Sequence, residues 1–81
     1  MNTEELITQY KKLDEHCKLF DECAKHQGDD YNRSIVCIAR VYDLDAVLKD
    51  KVFRAQIKHG DHSISRKLWI QQRIAELEAK K

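Results

Sequence analysis

The stretch Thr3–His26, TEELITQYKKLDEHCKLFDECAKH, decides how this chain folds. Within it Leu6, Tyr10, Leu13, Cys17, Phe20 and Ala24 recur at alternating spacings of four and three. On a helix these side chains form one stripe, the kind of seam that two packed helices share. Glu4, Glu5, Lys11, Asp14, Glu15, Lys18, Asp21, Glu22 and Lys25 lie mostly on the other side. A helix of this length gains most of its stability by burying its stripe, so the rest of the chain, or a second copy, must cover it. Asn2 as N-cap puts Glu5 at the third helical position, a capping-box pattern, and Lys25, His26 and Gly28 read as a C-terminal stop.

Working outward, the only two glycines, Gly28 and Gly60, divide the 81 residues into three segments, and proline is absent. That scarcity of breakers is typical of long helices. The middle segment runs from Asp29, Asp30 or Asn32, each able to start a helix, to His59. Its apolar stripe is Tyr31, Ile35, Ile38, Val41, Leu44, Leu48, Val52 and Ala55, widened by Ala39, Tyr42, Val47 and Phe53. Ile35-Val36-Cys37-Ile38 is β-branched enough for a strand, but the periodicity and segment length favour helix. Asp43 or Asp45 can cap a fresh helix and so split the segment. In the last segment Asp61, Ser63 or Ser65 can cap a helix whose apolar half holds Ile64, Leu68, Ile70, Ile74, Ala75 and Leu77. Trp69 falls on the opposite side, beside Ser65, Arg66, Gln72 and Arg73.

The fold expected is therefore all-α. Residues 1–81 form a single domain, a three-helix antiparallel bundle with helices over about 3–26, 30–58 and 63–78, the first two long and the third shorter. A chain of this size buries only about 60% of its unfolded surface. With two helices outreaching the third, a twofold homodimer is expected, with Tyr10, Leu13, Cys17 and Phe20 in or near the contact.

Composition narrows the function. No apolar run approaches the ~18 residues of a membrane span. The opening Met1-Asn2-Thr3-Glu4-Glu5 is acidic where a signal peptide is basic, Asn2 stands where myristoylation needs glycine, and no cysteine lies near the C-terminus for prenylation. Three cysteines is an odd number, and Cys17 and Cys23, six apart, lie on different helix faces. Reduced thiols in a cytoplasmic, soluble protein are expected. Net charge is +1, but residues 1–48 hold ten acids against six bases and residues 49–81 nine bases against four acids. Either an acidic helix attracts a basic one within the domain, or the basic half meets an acidic partner.

Chemistry is thinly represented. Cys23, His26, His59 and His62 are zinc-ligand types, but antiparallel helices set the two pairs a helix-length apart. His16 and Cys17 are adjacent and so diverge on a helix, which rules out a base–nucleophile pair. No glycine-rich phosphate loop is present. An enzyme is not expected, nor a metal or cofactor. What remains is a protein-binding adaptor, inhibitor or regulatory subunit. Its partner-binding residues are Trp69, Arg66, Arg73 and Lys67, since tryptophan and arginine dominate binding hot spots. The alternative role for Trp69 is to pack on the first helix. The competing function is a nucleic-acid-binding regulator. Residues 47–74 outline a helix-turn-helix with Ser63, Ser65, Arg66, Lys67 and Arg73 on its reading helix, although Arg66 stands where that motif sets an apolar residue.

Overall fold

In the computed structural model, residues 2–23, 29–61 and 63–80 are described, without the side chains of residues 18–34. Among the described residues there are five helices and no strand: α1 (Thr3–Cys23), α2 (Asp29–Val41), α3 (Asp45–Lys49), α4 (Lys51–His59) and α5 (Arg66–Ala79). The expectation of an all-helical chain holds, and Ile35 to Ile38 are helical. The three-helix outline is corrected, because its long second helix is three helices. The proposed stop at Lys25, His26 and Gly28 lies outside the described residues.

α1 begins as the sequence indicates, with Asn2 Oδ1 accepting from the Glu5 N–H at 2.7 Å. Leu6, Tyr10, Leu13 and Cys17 are buried, joined by Ile7. Phe20 and Ala24 lie outside the described side chains. α1 is the central element. It packs most extensively on α5 and also touches α2 and α3.

The middle segment breaks at two aspartates. Asp43 adopts a left-handed conformation with φ 54°. Around it the Leu44 N–H donates to the Ala39 carbonyl at 2.8 Å, and the Asp43 N–H to the Arg40 carbonyl at 3.2 Å. This is a Schellman termination with aspartate in the usual glycine position, closed by buried Ile38, Ala39 and Leu44. Neither Asp43 nor Asp45 caps α3. Its N-terminal donors are satisfied from α1, where Gln9 Oε1 accepts from Ala46 N at 2.7 Å and Val47 N at 3.3 Å. The second break is at Asp50, extended at φ −68°, ψ 123°, which ends α3 and caps α4 by accepting from Val52 N at 3.2 Å.

Each break resets the helical phase, so the apolar stripe read across the segment survives only in part, at Ile35, Ile38 and Leu44. Val41 is 66% exposed and Val52 41%, while Ala46, Val47 and Phe53 are buried. α4 ends at Gly60, whose φ of −76° suits any residue. Glycine is needed there for room, because a Cβ would sit 2.6 Å from the Gln56 carbonyl oxygen and overlap the Gln56 side chain. Of the three proposed caps for the last helix it is Ser65 that serves, its Oγ accepting from Leu68 N at 3.1 Å.

The core is centred on three rings from three helices. Tyr10 meets Phe53 and Trp69 edge-on at centroid distances of 6.4 and 6.1 Å, and Phe53 meets Trp69 at 6.1 Å. Such pairs contribute about 0.5–1.5 kcal/mol each beyond the area they bury. The buried face of α5 is Arg66, Trp69, Ile70, Arg73 and Leu77, a regular three–four stripe. The expected apolar half shares only Ile70 and Leu77 with this face, and Leu68 within it is 45% exposed. The phase was misplaced because two of the five buried residues are arginines and were counted as polar.

Candidate functional site

The polar centre of the molecule is Asp50. Its Oδ2 accepts from the Tyr10 hydroxyl at 2.6 Å and from Arg73 Nη2 at 3.1 Å and Nε at 3.2 Å. Oδ1 accepts from Val52 N and, at 3.3 Å, from Arg73 Nη2. Arg73 also reaches Glu76 Oε2 at 3.2 Å and lies 5.9 Å from the Tyr10 ring centroid. Burial, then the hydrogen bond to Asp50 and its negative charge, push the Tyr10 phenol well above its ordinary range. Burial alone would disfavour the guanidinium charge, but the hydrogen bond to Asp50 and its charge outweigh that and raise the Arg73 pKa. This network ties α1, α4 and α5 together. Asp50 is occupied on both oxygens by neighbours within the chain, so its role is structural.

Three of the four residues that the sequence suggested for a partner are buried. Trp69 is 9% exposed, Arg66 3% and Arg73 5%; Lys67 is exposed. Trp69 takes the packing role. The helix-turn-helix set fares similarly, since Arg66 and Arg73 face inward, Ser65 Oγ caps α5, and Ser63 Oγ donates to Asp61 Oδ1. Of that set, Lys67 is the one basic side chain left outward. Tyr10, Leu13 and Cys17, assigned to a dimer contact, are fully enclosed by their own chain, and Phe20 lies outside the described side chains. The interhelical attraction expected between an acidic first and a basic last segment has its signs reversed in the pair Lys11–Glu78, at 3.3 Å on the surface.

The open surface lies around α4. Of its nine residues one, Phe53, is buried. On one side Val36 and Arg40 of α2, Leu48 of α3, and Phe53, Arg54 and Ile57 of α4 line a groove of about 410 Å³. Val36, Leu48 and Ile57 are half-buried and Phe53 is buried, while Arg40 and Arg54 are exposed. On the other side Val52, Ala55, Gln56, His59 and Gly60 line a shallower opening of about 320 Å³ that reaches Trp69. Lys51, Arg54 and Lys58, spaced three and four apart, form an exposed ridge along the helix, and none is in an ion pair among the described residues. The sequence signal for this ridge was its spacing, legible once α4 is separated from the segment before it.

Among the described residues no group of three or more His, Cys, Asp or Glu could hold a metal ion. Of the four zinc-ligand types, His26, His62 and the Cys23 side chain lie outside the described residues. No described helix is long and apolar enough to cross a membrane. The chain matches no protein-family model, no curated protein and no solved structure.

Proposed function

We propose that this chain is a small protein-interaction module, acting as an adaptor, inhibitor or regulatory subunit, and that α4 is its contact element. The observation that carries this reading is the setting of α4: one buried side chain, an open groove on each flank, and between them a basic ridge in no ion pair among the described residues. A helix that only completed a core would bury more of itself. Apolar grooves rimmed by charge are how helical domains receive partner segments. Self-association through Tyr10, Leu13 and Cys17 drops out of the reading, because those side chains are already covered. The setting proposed is cytoplasmic, which suits the odd number of cysteines, three in the chain. Nucleic-acid binding is the weaker alternative, since α5 turns both arginines of its supposed reading face inward.

The test is a selection from a displayed peptide library on the immobilised chain, followed by affinity measurements on variants. Val52→Glu and Arg54→Glu, both at exposed α4 positions, should weaken the selected peptides by about tenfold or more while the helical circular dichroism is unchanged. Glu15→Ala, exposed on α1, should leave affinity unaltered. Equal binding by all three variants would overturn the assignment to α4.

A further inference from the structure

We propose that the groove between α2 and α4 takes an acidic amphipathic segment of a partner protein, with apolar side chains on its floor and carboxylates on Arg40 and Arg54. This inference rests on the α4 reading above and adds the chemistry of the partner. The groove offers two kinds of surface. Leu48, Ile57 and Val36, half-buried beside the buried Phe53, supply apolar area that water covers poorly. Arg40 and Arg54, from two different helices, bring positive charge to the same opening, and among the described residues no acidic one lines it. Neither arginine has an ion-pair partner among the described residues. Lys51 and Lys58, on the same stripe of α4 as Arg54, extend the positive rim beyond the groove.

Charge complementarity selects the occupant. A guanidinium holds a carboxylate through two parallel hydrogen bonds, and two of them flanking an apolar floor match a segment with acids beside a hydrophobic face. A helix presenting such a face lies naturally between two other helices. Nucleic acid fits less well. Its phosphates would engage the rim but leave the half-buried Val36, Leu48 and Ile57 against water, and strong binding needs many phosphate contacts. A basic or uncharged peptide would leave the arginines without partners.

The experiment uses the full chain as bait for a displayed library of random peptides. Enriched sequences are expected to carry Asp or Glu beside Leu, Ile, Phe or Trp at helical spacing. Titrated into isotopically labelled protein, the best of them should move the amide signals of Val36, Arg40, Leu48, Arg54 and Ile57. Arg40→Glu combined with Arg54→Glu, both at exposed positions, should weaken that peptide by about tenfold or more and transfer preference to a version with lysines in place of its acids. Peptides that bind without charge preference, or that move Val52, Gln56 and His59 instead, overturn the acidic-segment inference and leave the α4 reading standing. Failure to enrich any peptide overturns both. Binding to random duplex DNA that falls steeply with salt and is lost in the double variant also overturns both, in favour of a nucleic-acid partner.

Discussion

Tyr10 donates its hydroxyl hydrogen to Asp50 at 2.6 Å across 40 positions of chain, and this bond joins the central helix to the cap of α4. Arg73 completes the site from α5, with both its side chain and that of Asp50 under a tenth exposed. A charged pair this enclosed is costly to leave half-made.

Asp50→Asn separates charge from capping, since asparagine caps a helix as well as aspartate does. The variant keeps the bond to Val52 N and leaves the Arg73 charge unbalanced. We expect a loss of about 3–5 kcal/mol in urea unfolding, a large share of what so small a domain holds. Adding Arg73→Met to Asp50→Asn should recover part of it, because the buried charge is then removed from both sides.

Tyr10→Phe removes one hydrogen bond and leaves an Asp50 lone pair unmet, at a cost of about 1–2 kcal/mol near neutral pH. Its effect on pH dependence has a definite sign. The folded phenol keeps its proton above the ordinary value, whereas the unfolded chain releases it near pH ~10. Above that pH the native state binds more protons than the unfolded state, so stability falls as pH rises. The Tyr10 contribution is fully present below the unfolded pKa and declines above it. Urea midpoints between about pH 8 and pH 11 should fall less in Tyr10→Phe than in the parent chain.

Asp43→Gly should stabilise the protein by roughly 0.5–1 kcal/mol. A left-handed residue with a Cβ carries a steric cost that glycine lacks, although the added freedom of the unfolded chain offsets part of the gain. A urea midpoint lower than that of the parent would show that the Asp43 side chain contributes more than its backbone costs.

Gln9→Ala should cost about 1 kcal/mol, the usual value of a lost N-terminal cap. Amide exchange at Ala46 and Val47 should quicken more than exchange elsewhere in α3, because those two N–H groups lose their acceptor. Uniform change across α3 would mean that Gln9 acts through general packing.

The sequence disclosed what depended on an unbroken period. The stripe Leu6, Tyr10, Leu13 and Cys17 is buried as read, and Asn2, Ser65 and Gly60 mark helix ends as expected. A split near Asp43 or Asp45 was expected, though through a cap and not a left-handed stop, whereas the break at Asp50 was harder to see, since it is neither a glycine nor a proline. Asp43 takes a backbone conformation that aspartate tolerates without advertising. Asp50 became a boundary through partners 40 and 23 positions away, which no local pattern displays. Trp69 does lie with Arg66 and Arg73 and packs on Tyr10 of the first helix, but that this side is the buried one was hidden for the same reason. Arg73 counts as polar until its carboxylate is known, and the buried stripe then passes through it. The groove beside α4 is lined from three helices that the sequence joined into one, so Arg40 and Arg54 gave no sign of meeting.

α4 is fastened most firmly at one end. Asp50 at its start and Phe53 in its first turn carry the attachments to α1 and α5, whereas Lys58 and His59 stand exposed at the far end. A rod clamped in this way is stiffest at the clamp and yields progressively toward its tip. A ligand gripping the His59 end therefore works through a long lever arm. Backbone relaxation along α4 should show amplitude growing from Val52 to His59, and flattening once the tip is held.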